Sequence, residues 1–451
     1  MTNLIQSRAA EKEQILSTMA TEGFSLITIG GRKGIGKAEL LRACLKDYEA
    51  TFIRIPDLAE AGQRQYWQYY FPDFTDADWG EFFRDLAQRY KAQPGILLLL
   101  DFERLLKVAP KIEAALRKAI REEFLNSQLK LIISYNFNSE AEKPKTLARG
   151  FYHQTAELNL DLYPLSYRES LAYLPHWSAE DRLYGYSISG GVPAYLEILS
   201  TYSNLEAALY AEFLKPEGYL QKLPALKLAE SLREPAVYNL LLMAIAQGSE
   251  RQKDIAETAE IPASSAANYL RVLLELGLIE KAQPYRNPNP RLMRYAVSEP
   301  IFRFCFHFLP RLDPLRQRGL YTEAYQLLRE KMPAYFQKDF CLIARDYLLD
   351  LQKSGDLEGD FDDFAPWWNE DGTTIDLIGS DANLALLAAC LWSNEKMTVD
   401  NLENLRQKSR LTQRRKNKIY TLFSRSGFTD ELVELAENTD DLHLISLFGE
   451  A

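Results

Sequence analysis

The chain holds 451 residues, 47% hydrophobic and 26% charged, with a formal net charge of −10. That length suits roughly two to four globular domains, and the acidic balance disfavours a generic polyanion binder while leaving room for a local basic face. Apolar runs such as Ile96 to Leu100 fall far short of the roughly 18 residues of a membrane span, Met1 to Arg8 shows no signal-peptide pattern, and the four cysteines (Cys44, Cys305, Cys341, Cys390) form no C-x-x-C pair, so a reducing cytoplasm is expected rather than a membrane, a zinc ribbon or a disulfide scaffold.

Ala9 to Met19 has helical character and leads into the apolar run Phe24 to Ile29. The next stretch, Gly30-Gly31-Arg32-Lys33-Gly34-Ile35-Gly36-Lys37-Ala38, fits the phosphate-binding pattern G-x-x-x-x-G-K-[ST] from Gly31 to Lys37 and departs from it at the last position. Backbone N–H groups of such a loop close around phosphate oxygens, the following helix adds partial positive charge, and Lys37 reaches the terminal phosphates. Gly31, Gly34, Ile35, Gly36, Lys37, Ala38 and Glu39 are therefore the candidate nucleotide-binding set. The Ser or Thr that would place a hydroxyl on Mg²⁺ is Ala38, so any Mg²⁺ is expected to be weakly held. A second strand is read at Thr51 to Ile55. The aromatic stretch Gln65 to Phe71 reads either as a base-stacking platform or as packing on the core.

Gly95 to Leu100 is a continuous apolar run, as in a buried parallel strand, and it ends on Asp101. In P-loop proteins a strand of this kind sits beside the P-loop, and its acid holds Mg²⁺ through water. Phe102 stands where a catalytic Glu would follow, and Glu103 is one place late, which serves only if the chain turns there. Lys130 to Asn136 reads as another parallel strand, with Ser134 or Asn136 placed to sense a terminal phosphate. Leu158 to Leu160 reads as the last strand, and Pro164 starts a helical lid that carries Ser189-Gly190-Gly191-Val192-Pro193. Strands interleaved with helices predict an α/β sheet whose ligand lies at the strand C-terminal ends.

From Glu234 the spacing changes to short helices: Val237 to Ile245, Gln252 to Glu257, and Ser264 to Leu276 with Ser264 as N-cap. Ile279 to Lys281 and Leu292 to Val297 then make a two-stranded wing, so the segment predicts a winged helix. As a reader of double-stranded DNA it would use Ser265, Asn268 and Arg271 on bases and Arg286, Arg291 and Arg294 on phosphates; as a packing module it would use none of them. An amphipathic linker over Leu320 to Arg329 leads to a last α/β unit with a helix from Phe340 to Leu351 and strands at Thr374 to Ile378, Ala385 to Leu391 and Lys418 to Phe423. The basic run Arg406 to Lys418 reads as a nucleic-acid contact or as a solvated helix and loop.

In this order the motifs resemble the archaeal-type prokaryotic ATPases of the STAND branch of AAA-like P-loop proteins. Ile5-Gln6-Ser7-Arg8 stands in place of that family's adenine-side box, with Arg8 its arginine; Arg149 is similar to an arginine after the sensor strand; Gly190 to Leu196 resembles the lid motif that sets Pro193 beside the base; Tyr295 to Phe304 resembles the wing exit. The resemblance implies a C-terminal fold of the PD-(D/E)xK restriction-endonuclease type. Asp376 matches its metal-binding acid there, but Ala389-Cys390-Leu391 replaces E-x-K and Cys341 the helix Glu, so Asp376 is vestigial and the fold is kept as an interaction domain for a protein partner.

The expected architecture is α/β multidomain: a P-loop parallel-sheet core over 1–165, a helical lid over 166–230, a winged helix over 231–310, a linker helix over 311–330 and a restriction-endonuclease-like domain over 331–451. The expected function is an ATP- or ADP-binding conformational switch with slow or absent hydrolysis, in which Lys37 binds phosphate, Asp101 holds Mg²⁺ through water, Glu103 is a doubtful base and Arg149 a γ-phosphate sensor. A winged-helix DNA-binding regulator and a non-catalytic scaffold are the alternatives.

Overall fold

A computed structural model describes residues 7–74, 78–91, 93–137, 143–232, 234–412 and 417–447. Ile5 and Gln6 of the adenine-side box and residues 413–416 of the basic run lie outside the described residues. Two compact units divide the chain: the first comprises 1–165, 192–197 and 275–277, the second 166–191, 198–274 and 278–451.

The first unit is built on a five-stranded sheet, β1 (Ser25–Gly31), β2 (Ala50–Arg54), β3 (Gly95–Leu100), β4 (Leu129–Tyr135) and β5 (Leu158–Leu162), in the order β2-β3-β4-β1-β5. All its pairings are parallel, which leaves both faces to be covered by crossover helices. The pleat sorts each strand to two cores. Leu97, Leu99, Leu131 and Ile133 face Trp67, Phe82, Phe83 and Phe124, whereas Ile96, Leu98 and Ile132 face Ile15, Leu40 and Leu41 on the other side.

The order corrects one expectation. The strand of Asp101 does not adjoin the P-loop strand, because β4 lies between them. The aromatic stretch divides as well: Trp67 and Phe71 are core, while Tyr69 is 84% exposed and Tyr66 and Tyr70 lean on one another at 5.5 Å.

In the second unit, helices Pro235–Ala246, Gln252–Thr258 and Ala263–Glu275 precede the antiparallel ribbon β6 (Ile279–Ala282) and β7 (Arg294–Val297). Helix Ala179–Ser189 ends on Gly190 at φ +61°, and a Cβ there would stand 2.7 Å from Cγ of Pro300, so the turn and the residue opening the helix Pro300–Arg316 require glycine together.

The linker and the helix expected from Phe340 are one 34-residue helix, Tyr321–Ser354, which runs through Pro333. Ala324, Leu328, Met332, Phe336, Phe340, Ala344 and Leu348 are all buried. They recur every fourth residue, an unbroken stripe whose burial outweighs the roughly 3 kcal/mol cost of an internal proline.

A mixed sheet closes the unit in the order β12-β11-β10-β9-β8. Its strands are β8 (Ala365–Trp368), β9 (Thr374–Ser380), β10 (Leu384–Leu391), β11 (Asn417–Ser424) and β12 (Leu442–Ser446). β8 and β12 went unread in the sequence. The loop joining β6 to β7 is bound to this sheet: Tyr285 N–H donates to the Pro366 carbonyl at 2.9 Å, its hydroxyl accepts from Ser380 N–H at 2.9 Å, and Trp368 Nε1 donates to the Leu292 carbonyl at 2.9 Å. No helix among the described residues is long and apolar enough to cross a membrane.

Candidate functional site

The C-terminal ends of β1, β3 and β4 converge on one cavity of about 310 Å³ in the first unit. The loop from β1 needs its glycines: a Cβ on Gly30 would lie 2.5 Å from the Tyr135 ring, and Gly34 and Gly36 hold φ of +86° and +92°. The Gly34 carbonyl accepts from Ala194 N–H at 3.2 Å, which fixes segment 192–197 against the loop. Gly34, Gly36, Lys37, Ala38, Glu39, Asp101 and Pro193 all line the cavity. Gly31 and Ile35 support the loop from behind: Ile35 is buried, and a Cβ on Gly31 would meet the Leu162 carbonyl at 2.7 Å.

Asn136 ties the cavity floor together. Lys37 Nζ donates to Asn136 Oδ1 at 2.9 Å, and Asn136 Nδ2 donates to Asp101 Oδ1 at 2.8 Å and to Glu103 Oε1 at 2.9 Å. Glu103 Oε2 accepts the Asn136 backbone N–H at 3.0 Å.

This network depends on a turn at Asp101, whose φ is +57°. β3 ends at Leu100 and a helix begins at Glu103. Phe102 is thereby directed into the core against Tyr152 at 5.1 Å, and Glu103 returns to the side of Asp101. The condition set by the sequence for Glu103, that the chain turn there, is met in the geometry.

Lys37 is largely buried, and its remaining ammonium hydrogens go to the carbonyls of Gly31 and of Arg32, the latter at 2.9 Å. Burial lowers its pKa from 10.5 to about 8, against the opposing pull of Glu103, Asp101 and Glu39. In the free protein Lys37 therefore loses its charge as pH rises through about 8. The unfolded chain binds more protons between about 8 and 10.5, so the contribution of Lys37 to stability rises with pH across that window. An anionic ligand favours the charged form, so its affinity is expected to fall by up to about tenfold per pH unit above that pKa, with proton uptake on binding. Calorimetry in buffers of different ionisation enthalpy measures both effects, and Lys37→Arg should flatten them.

The sequence missed Arg54, Arg104 and Glu197, which also line the cavity. Arg54 Nε stands 3.8 Å from Asp101 Oδ2. It ends a parallel strand, where ligand-facing residues concentrate, so it was legible; Glu197 comes from a helix that only the tertiary fold delivers.

Arg8 and Arg149 are outside the cavity lining. Arg8 is buried, pairs with Glu11 at 2.9 Å and donates to the Tyr163 carbonyl. Arg149 is exposed after the short helix Lys145–Ala148.

The remaining candidates are in the second unit. On helix Ala263–Glu275, Asn268 and Arg271 are exposed and Ser265 is half-buried. Arg291 is exposed. Arg294 pairs with Glu250 at 3.1 Å and stacks over Trp368 at 4.4 Å, and Arg286 pairs with Asp362 at 3.1 Å, so these two wing arginines are engaged within the chain. Asp376, half-buried, accepts the Cys390 N–H at 2.8 Å beside a second cavity of about 150 Å³.

Residues 305–407 match DUF234, a family described as archaeal and bacterial proteins of unknown function. The chain is 24% identical over 406 residues to the uncharacterized protein MJECL04 of Methanocaldococcus jannaschii, covering 86% of this chain and 88% of that protein. Among solved structures it is similar to the Walker-type ATPase PABY2304 of Pyrococcus abyssi, with 17% identity, a TM-score of 0.47, and 66% of this chain and 95% of that one covered. It is also similar to the ORC2 protein of Aeropyrum pernix in its ADPNP and ADP complexes, with 13% identity, a TM-score of 0.44, and 69% and 94% covered.

Proposed function

We propose that the first unit is an ATP- or ADP-binding core and that the protein is a STAND-type switch that turns nucleotide over slowly or not at all. The observation that carries this reading is the Asn136 junction, which joins Lys37 and Asp101, both lining a cavity walled by a Gly-rich loop, to Glu103, which is outside the lining. Phosphate oxygens would take the loop N–H groups, and Lys37 would exchange the carbonyls of Gly31 and Arg32 for them.

The donor set does not fit Mg²⁺ well. Ala38 brings no hydroxyl, one Asp101 oxygen is held by Asn136, and the other faces Arg54. Arg54 and Arg104 supply cationic charge in its place. Each carboxylate oxygen of Glu103 accepts a hydrogen bond from Asn136, which commits the acid to positioning that side chain rather than to general-base work.

The bond from Ala194 to Gly34 supports the switch, since a ligand that moves the loop also moves segment 192–197, which the chain continues from the left-handed pair Gly190–Gly191. The winged-helix reading of the three helices and ribbon, and the restriction-endonuclease-like reading of the last sheet, belong to this proposal as packing and interaction modules. The engagement of Arg286 and Arg294 favours packing over phosphate contact.

Titration calorimetry with ATP and with ADP, each with and without chelator, tests the proposal. One site per chain is expected, with affinity changing less than about fivefold, that is by about 1 kcal/mol, on chelation. Absence of binding overturns the reading.

A further inference from the structure

We propose that Cys341, Cys390 and Asp376 form a site for a thiophilic divalent ion of the zinc type. The residues come from three elements of the second unit, helix Tyr321–Ser354, β10 and β9. Their ligating atoms all lie within 4.8 Å of one another. A tetrahedral zinc site with sulfur at about 2.3 Å and oxygen near 2.1 Å has edges of about 3.5 to 3.8 Å, so the ligand atoms need draw together by no more than about 1 Å to close on the ion.

The ligand set selects the metal. A lone carboxylate with two thiols is a poor cage for Mg²⁺, which wants several oxygens, and a good one for a borderline-soft ion. Gln337 supplies an outer shell: its Nε2 donates to the Cys390 carbonyl at 2.8 Å and to Cys341 Sγ at 3.7 Å, while its Oε1 accepts from Trp392 N–H at 2.8 Å. One side chain thus pins the helix to the strand at the two thiols.

Asp376 and Cys390 also line the cavity of about 150 Å³, together with Asn404 and Lys408. Three protein ligands with a fourth position open to a cavity is the pattern of a zinc site that binds a ligand, and Lys408 favours an anionic oxygen there. The competing chemistry is a Cys341–Cys390 disulfide, which has no use for Asp376. The proposal is independent of nucleotide binding in the first unit.

The test uses the full chain, reduced and chelator-treated, titrated with Co²⁺ and then Zn²⁺. One equivalent of Co²⁺ should give a thiolate-to-cobalt charge-transfer band that Zn²⁺ abolishes. Cys341→Ser/Cys390→Ser should lose the band, and Asp376→Asn should weaken Zn²⁺ at least about tenfold while keeping it. Cobalt at the carboxylates near Lys37 gives no such band, so the two regions are told apart. A saturated wild type without the band, a band that survives in the double variant, or a wild type isolated metal-free with the two cysteines disulfide-bonded overturns the proposal. The wild-type arm decides even where a variant fails to fold.

Discussion

Replacing Lys37 by alanine is expected to weaken ATP binding by about two orders of magnitude. Charge-assisted hydrogen bonds to phosphate contribute about 1.5 to 3 kcal/mol each, and Lys37 is the loop residue whose ammonium sits at the junction with Asn136. The substitution also removes a buried cation from between Asp101, Glu103 and Glu39, so those acids repel an incoming polyphosphate with only Arg54 and Arg104 left in the cavity lining to offset them. Folding should change little by comparison, because the buried ammonium already bears the desolvation cost that lowers its pKa. Calorimetry on wild type and variant, with thermal unfolding of both, separates the effects. Equal affinity in the two proteins would remove Lys37 from the site.

The largest effect on stability is expected at Arg303 and Asp339. Arg303 donates from its guanidinium to Asp339 Oδ1 and, at 3.1 Å, to the Tyr335 hydroxyl, whose ring packs against Phe304, Phe308 and Phe336; Asp339 is buried and the Arg303 side chain is 19% exposed. Burial raises the Asp339 pKa against the pull of Arg303. Asp339→Leu leaves the guanidinium largely buried without its counter-charge and should cost about 3 to 5 kcal/mol. Arg303→Met should cost a similar amount by stranding the carboxylate, unless the acid takes up a proton. The double variant Arg303→Met/Asp339→Leu should recover most of the loss, since two apolar side chains of similar volume need no partner. Chemical denaturation of the four proteins completes a double-mutant cycle. Additive losses would mean that the pair is not coupled.

That pair also marks where sequence reading stops. Arg303 sits in Phe302-Arg303-Phe304, a motif visible at once, but its partner lies 36 residues on, inside a helix whose sequence carries no sign of the contact. The parallel strands were legible because burial on both faces writes continuous apolar runs such as Leu97 to Leu100. Their order was not, since no local pattern says that β4 inserts between β1 and β3, and so Asn136 read as one option among strand-end residues rather than as the junction. The linker and the helix from Phe340 read as separate segments, whereas a buried stripe joins them through Pro333 into one helix. The wing arginines were chosen by charge, whereas Glu250, Asp362 and Trp368, which engage them, come from distant parts of the second unit. The loop Gly31 to Lys37 was legible in full because its glycines are demanded by backbone conformation, and that demand is local.

Asp101 is under the same kind of demand. A left-handed φ of +57° is cheap for glycine, asparagine and aspartate, and costs most other residues about 1 to 2 kcal/mol. The acid is therefore held in place by the turn as well as by any chemistry, and it would persist in a descendant that had given up hydrolysis altogether. Its presence bears little witness to an active enzyme. The same fact selects the probe: Asp101→Asn removes the charge and keeps the turn, whereas Asp101→Ala changes both and would assign to electrostatics a loss that belongs to the backbone.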